Sequence, residues 1–186
     1  GIGTGIWSGK IAADFLKNKL ADFIGKDRFK MEPRDVVLYG FGRIGRLAAR
    51  ELIKQAGKGQ QLRLRAIVTR NTSDLTLQKR AALFKNDSVH GAFDGTVAVD
   101  YDKKVMTING QTIQMIEAKN PEDIDYTNFG IDNALVIDNT GVFTDKEALS
   151  RHKAAKGVSK VILTAPGKGI PNIVYGVKYN GGFALE

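Results

Sequence analysis

The sequence has no cysteine, which excludes disulfides, thiolate nucleophiles and cysteine metal sites for this chain. Histidine is almost as scarce: His90 and His152 are the only two, too few for a histidine-rich metal cluster and without paired spacing. No uninterrupted apolar run approaches the length that spans a bilayer, and no signal peptide is expected before the domain. A cytoplasmic location with no membrane partner is the expectation. Aromatic residues are 8% of the chain, and neither they nor the arginines cluster into a platform for single-stranded nucleic acid. The formal charge of +8 is therefore read as a solvated basic surface, not a nucleic-acid groove.

Within 186 residues, long enough for one substantial domain or a domain with an extension, one stretch organises the rest. Val36-Val37-Leu38-Tyr39 is a short apolar run that reads as a buried parallel strand. Gly40, Gly42 and Gly45 follow at Gly-x-Gly-x-x-Gly spacing, and the run Leu47-Ala48-Ala49-Arg50-Glu51-Leu52-Ile53 has helical periodicity. In such a strand-turn-helix unit Gly40 permits the sharp bend, Gly42 clears the approach of a pyrophosphate, and Gly45 lets helix and strand pack closely. The N–H groups of Arg43 and Ile44 would open the helix and face the phosphates, because the first turn of a helix has unpaired N–H donors and a positive dipole end. The alternative is a structural turn that binds nothing.

Before this unit, residues 9–24 carry an apolar stripe of Ile11, Phe15, Leu16, Leu20, Phe23 and Ile24, with Ser8 as N-cap and Gly25 as stop. This amphipathic helix needs a surface to cover its stripe, on its own domain or on a partner. After it, Leu62-Arg63-Leu64-Arg65-Ala66-Ile67-Val68 reads as the second strand. An acid at the end of that strand would accept hydrogen bonds from the adenosine ribose and repel a 2′-phosphate. Here Val68-Thr69-Arg70-Asn71 stands there instead, with no acid until Asp74. Arg70 can neutralise and hydrogen-bond a 2′-phosphate, so either NAD or NADP is expected as cofactor. In the opposing arrangement Arg70 points into solvent and Asp74 curls back to the ribose.

A helix over residues 75–84 gives way to alternating strands at 96–100, 104–108 and 111–116, with Asn109-Gly110 as a hairpin turn. Asn120 and Pro121 look like a helix cap and first position, and Thr144 with Glu147 looks like a capping box. Ala134-Leu135-Val136-Ile137-Asp138 and Val161-Ile162-Leu163-Thr164 are continuous apolar strands, and 173–175 reads as the last one. The expected fold is α/β: a Rossmann-type, doubly wound, mostly parallel sheet with an inserted antiparallel ribbon and an N-terminal amphipathic helix. The expected division is 1–34 for the helical extension and linker, 35–180 for the dinucleotide-binding domain and 181–186 for an appended tail. Beginning on Gly1 and ending after Gly181-Gly182, the chain reads as a piece of something longer.

Together these residues resemble the cofactor domain of the phosphorylating glyceraldehyde-3-phosphate dehydrogenases. Gly40-Phe41-Gly42-Arg43-Ile44-Gly45-Arg46 is similar to that family's opening motif. Asp87-Ser88-Val89-His90-Gly91, Asn139-Thr140-Gly141-Val142-Phe143 and Val161-Ile162-Leu163-Thr164-Ala165-Pro166 follow in the family's order, so the resemblance runs from about Val36 to Val177. It implies a nicotinamide dinucleotide with Arg43 and Ile44 at the pyrophosphate, Lys119 near the adenine, Thr140 and Gly141 along the nicotinamide half, and Thr164 near the nicotinamide. For Lys119 a solvated loop lysine is the competing reading; for Thr140 and Thr164 it is a strand-end residue bonding its own backbone. His90 is read as a structural hydrogen-bonding residue.

The chain also departs from that pattern. Arg70 stands where the family has aspartate, Lys178 where it usually has asparagine, and the helical extension before Val36 is not part of the usual pattern. The resemblance implies a parent that oxidises the aldehyde to an acyl phosphate, in glycolysis or gluconeogenesis, as a homo-oligomer. The nucleophilic cysteine and its histidine would lie in a catalytic domain that this chain lacks. The chain alone is thus expected to bind cofactor without turnover. The opposing reading is a non-catalytic basic module for dinucleotide or nucleic acid, and a third is an assembly domain acting through the apolar stripe.

Overall fold

A computed structural model of the chain describes residues 33–56 and 61–172, together with Asn18. The expected N-terminal helix, the glycine-rich 57–60, the last strand, Lys178 and the tail lie outside the described residues. The chain divides into two units, Gly1–Glu32 and Pro33–Glu186, and every element named below belongs to the second.

β1 (Arg34–Tyr39), α1 (Arg43–Lys54), β2 (Leu62–Thr69) and α2 (Asp74–Lys85) come first. A two-residue hairpin of β3 (Asn86–Asp87) and β4 (Gly91–Ala92) leads to β5 (Val97–Asp100), β6 (Val105–Ile108) and β7 (Gln111–Glu117). Single 3₁₀ turns at Pro121–Asp123 and Tyr126–Phe129 precede β8 (Ala134–Asp138), α3 (Lys146–Ala154) and β9 (Val158–Leu163). Seven strands form one sheet in the order β5-β6-β7-β2-β1-β8-β9. The five from β7 to β9 are parallel, while β5, β6 and β7 pair antiparallel as the inserted ribbon. This is the doubly wound α/β architecture that the sequence pattern predicts.

The sheet is buried on both faces, which explains why its central strands are almost wholly apolar. Side chains alternate along a strand: Val36 and Leu38 of β1 enter a core with α1 and α2, and Val37 and Tyr39 enter a second core with Phe143 and Leu149. In β2 the register against β1 shifts between Val36 and Val37, so Arg65 is passed over and both Leu64 and Ile67 face the first core. α1 covers that core with Gly45, Ala49 and Ile53, buried at four-residue spacing. Between β6 and β7, Asn109 and Gly110 both have positive φ, +48° and +78°, as a two-residue hairpin of the expected type demands. Among the described residues no helix is long and apolar enough to cross a membrane.

Two local expectations are corrected. Asn120 and Pro121 do hold the cap and first positions, but of a single 3₁₀ turn, Pro121–Asp123, and the Asn120 side chain makes no cap bond: its amide donates to the Asp123 carboxylate at 2.8 Å. The cap of α3 is Asp145, whose carboxylate accepts from the Ala148 N–H at 2.8 Å, not Thr144. Thr144 is held outside the helix because its carbonyl accepts from the Lys168 N–H at 2.7 Å.

The β3–β4 hairpin is organised by one carboxylate. Asp87 accepts from the N–H groups of Val89 at 3.0 Å and His90 at 2.9 Å, and His90 Nδ1 lies 3.1 Å away. Its other oxygen faces Arg46 of α1 at 3.7 Å. From the same helix Arg50 donates to the carbonyls of Phe84 and Gly91 and lies over the rings of Phe84 and Phe93. The two backbone N–H donors, His90 first, hold the Asp87 carboxyl well below the usual carboxylate range. A depressed folded value adds stability that is present above the unfolded aspartate pKa and is lost as pH falls through the folded one. Asp87→Asn is therefore expected to lower the thermal midpoint at pH 7, with the difference from the unmutated chain narrowing only below about pH 4. Thermal melts from pH 7 to pH 2 check this, and a gap that does not change with pH contradicts it.

Candidate functional site: a crevice at the carboxyl ends of the parallel strands

β1 lies between β2 and β8, and the sheet is wound outward from it in both directions. The chain leaves β1 toward one face and β8 toward the other, so a crevice opens where their carboxyl ends diverge. The three fingerprint glycines sit at this point and do three different things. Gly40 has φ +94°, its N–H donates to the Val68 carbonyl at 2.9 Å, and a Cβ there would lie 2.8 Å from Thr140 Cγ2 across the crevice. Gly45 is pressed on the backbone, where a Cβ would drive into the Gly40 carbonyl oxygen. At Gly42 an added Cβ meets nothing within 4 Å, so this glycine borders open space.

Gly42 is also the N-cap of α1, and no side chain caps the helix. Its first turn holds no acid, although a positive dipole end favours one, and instead carries Arg43 and Arg46. α2 and α3 follow the ordinary rule, with Asp74 in one first turn and the Asp145 cap plus Glu147 in the other. The start of α1 thus combines uncapped N–H donors, two arginines and an open approach, an arrangement suited to an anion. Arg80 of α2 adds a third cation nearby, donating to the Phe41 carbonyl at 3.1 Å. Burial and the neighbouring Arg46 charge lower its pKa.

The remaining candidate residues follow strand ends in sheet order. Lys119 lies just past β7, Arg70 past β2, Gly40 to Gly45 past β1, Thr140 and Gly141 past β8, and Thr164 past β9. Five adjacent strands cover about 19 Å at ordinary interstrand spacing. Arg70, Arg43 and Ile44 are exposed. Asp74 forms an exposed ion pair, with Lys104 Nζ 2.8 Å from its carboxylate. Lys119 borders a cleft of about 430 Å³ with Glu117, Asp123 and Phe129. The two threonine hydroxyls have local partners: Thr140 Oγ1 donates to Asp138 Oδ1 at 2.7 Å and Thr164 Oγ1 donates to the Asp138 carbonyl at 3.0 Å.

Two acids outside the candidate set also stand here. Glu117 closes the loop after β2 by accepting from the N–H and hydroxyl of Thr72, and these bonds, the N–H foremost, lower its pKa. Asp138 is the polar end of an otherwise apolar strand, and it meets His152, which shares the buried face of α3 with Leu149. A polar residue closing an apolar run and a histidine three places after a core leucine were the available signals. Beside them burial pushes the Tyr39 phenol up to about 12, with the Asp138 charge adding to the shift.

A doubly wound sheet with an uncapped, arginine-bearing helix at its switch point defines a dinucleotide-binding class of domain. Residues 34–146 match the family described as "Glyceraldehyde 3-phosphate dehydrogenase, NAD binding domain", and the chain belongs to that family. It is 51% identical over 174 residues to a glyceraldehyde-3-phosphate dehydrogenase-like protein of Pseudomonas aeruginosa, covering 92% of this chain and 38% of the relative. It is also 39% identical over 147 residues to the glyceraldehyde-3-phosphate dehydrogenase of Zymomonas mobilis, covering 77% of this chain and 40% of that one. With the enzyme of Ogataea parapolymorpha it shares 38% identity over 145 residues, 78% of this chain and 40% of the relative. The chain therefore spans about two fifths of the length of these relatives.

The glycines separate by substitution. Gly45→Ala is expected to cost at least about 2 kcal/mol in urea denaturation, because its methyl meets backbone that cannot move aside. Gly42→Ala costs at most about 1 kcal/mol, the scale of a changed N-cap, yet weakens NAD in calorimetry. Equal losses of stability in both variants would contradict the assignment of roles.

Proposed function

We infer that this chain is the cofactor-binding part of a glyceraldehyde-3-phosphate dehydrogenase. Gly40, Gly42, Arg43, Ile44 and Gly45 take the pyrophosphate, Arg70 the adenosine ribose, Lys119 the adenine, and Thr140, Gly141 and Thr164 the nicotinamide half. The observation that supports this most is the start of α1: open space at Gly42, no cap, and cations where an acid would ordinarily sit. The order of the other candidates along the strand ends supports it further.

The bound nicotinamide supplies a hydride acceptor. This chain's own contribution is to hold and orient it: backbone donors at residues 43 and 44 face the diphosphate, and the turns after β8 and β9 flank the ring. With no cysteine in its sequence, the chain offers no thiolate to attack an aldehyde, so the acyl-transfer half of the reaction belongs to the rest of the parent. The parent's activity would be oxidation of the aldehyde to an acyl phosphate. The purified 186-residue chain is expected to show no reduction of cofactor by glyceraldehyde 3-phosphate and phosphate, and measurable turnover would refute this division of labour.

At the ribose the proposal extends to NADP. Arg70 is exposed after β2, and Asp74, the acid that could have served the 2′-hydroxyl, is paired with Lys104. A charged hydrogen bond to a phosphate contributes about 1.5–3 kcal/mol, roughly tenfold or more in affinity. Calorimetry is expected to show NADP binding at least as well as NAD, and Arg70→Asp weakening NADP about tenfold while sparing NAD. Far tighter binding of NAD than NADP by the unmutated chain ends the idea.

A further inference from the structure

Beneath the crevice lies a buried ionisable pair to which the cofactor reading assigns no task. The side chains of Asp138 and His152 are 0% and 1% exposed, with His152 Nε2 2.8 Å from Asp138 Oδ2. The imidazole is fixed edge-on between two rings, Tyr39 at 4.6 Å and Phe143 at 5.2 Å between centroids. An ionised carboxylate only accepts, so the ring donates from Nε2.

The other carboxylate oxygen faces the crevice. Asp138 Oδ1 accepts from the N–H and the hydroxyl of Thr140, both at 2.7 Å. The Thr140 hydroxyl oxygen in turn accepts from the Val142 N–H at 3.1 Å. A continuous series of hydrogen bonds therefore runs from α3 through His152 and Asp138 into the turn after β8. Thr140 and Gly141 in that turn are exposed, and Thr140 meets the rest of the fold at the Gly40 backbone and at Asp138. An aspartate side chain swings about two torsions; with Oδ2 bound to the imidazole, Oδ1 has one direction left.

We propose that His152 and Asp138 are a positioning pair for the nicotinamide half of the site, the imidazole orienting the carboxylate that holds the Thr140–Gly141 turn. Neither side chain touches the ligand. The inference rests on the reading of the crevice as a dinucleotide site. A pair that merely stabilised the domain would affect both halves of the ligand alike, whereas a positioning pair affects one.

Amide exchange in the ligand-free 186-residue chain reads the turn directly. His152→Phe keeps a ring between Tyr39 and Phe143 and removes the donor; His152→Asn removes it by shortening the reach without adding volume. In both, the Thr140 and Val142 amides are expected to exchange at least about tenfold faster while Val136 in β8 keeps its rate. His152→Gln, whose amide reaches the position of Nε2, restores protection. In calorimetry NAD affinity falls about tenfold in the Phe and Asn variants and stays within about twofold in the Gln variant. ADP, which reports the adenosine half alone, binds all of them equally. Unchanged exchange at Thr140, or a parallel loss of ADP and NAD, overturns the proposal. Failure of the unmutated chain to bind NAD overturns the cofactor reading itself, and is told apart from failure of the pair because the exchange rates need no ligand.

Discussion

The contact between the Gly40 carbonyl and the α-carbon face of Gly45 governs where everything else can be. α1 begins within four residues of the end of β1, which is possible only if the helix is laid directly on the turn that feeds it, with no side chain between. That closeness starts α1 at Gly42, where no side chain caps the helix and the space beside the glycine is open. It also fixes the height at which Arg46 and Arg50 leave the helix. Arg46 faces Asp87 and Arg50 ties the β3–β4 hairpin to the end of α2, so the packing of two glycines propagates to a loop more than forty residues away.

The second constraint is the sheet's double burial. Strands covered on both faces disfavour polar side chains at their centres, so the carboxyl halves of β1, β2 and β8 are apolar up to their last residue and polar chemistry collects at and past their ends. Asp138 shows the rule at its boundary. As the last residue of β8 it is fully buried, and its charge is tolerated because both oxygens and its carbonyl are engaged, by His152, Thr140 and Thr164. The concentration of candidate residues along one edge follows from the same exclusion.

Much of this was legible in the sequence because it is local. The β1–α1 unit is written in the eighteen residues from Val36 to Ile53 by a continuous apolar run, three glycines and a helical stripe, and the Asn109–Gly110 hairpin is specified by the two residues that tolerate positive φ. What escaped depends on partners distant in sequence. Thr144 and Glu147 satisfy the spacing of a capping box, yet the pairing of Thr144 with Lys168 moved the cap to Asp145. The pairing of Asp74 with Lys104, thirty residues on, is likewise invisible in the local sequence. His152 looked like an isolated imidazole because the fold alone places it 2.8 Å from Asp138.

Electrostatics joins these threads at the helix start. Arg43 and Arg46 lie against a positive dipole end, and Arg80 approaches from α2 with a desolvated guanidinium whose Nε, like that of Arg46, is buried without a hydrogen-bond partner. Arg46 and Arg80 are like charges in a half-buried place, which costs energy, and Asp87, 3.7 Å from Arg46, answers only part of that charge. Asp87 and the Phe41 carbonyl give Arg46 and Arg80 structural partners, whereas Arg43 is exposed at the opening. An anion at this helix start, as proposed above, would turn the same positive field into attraction. The strain and the binding energy are two sides of one arrangement, and a chain selected for stability alone would have placed an acid in the first turn of α1, as it did in α2 and α3.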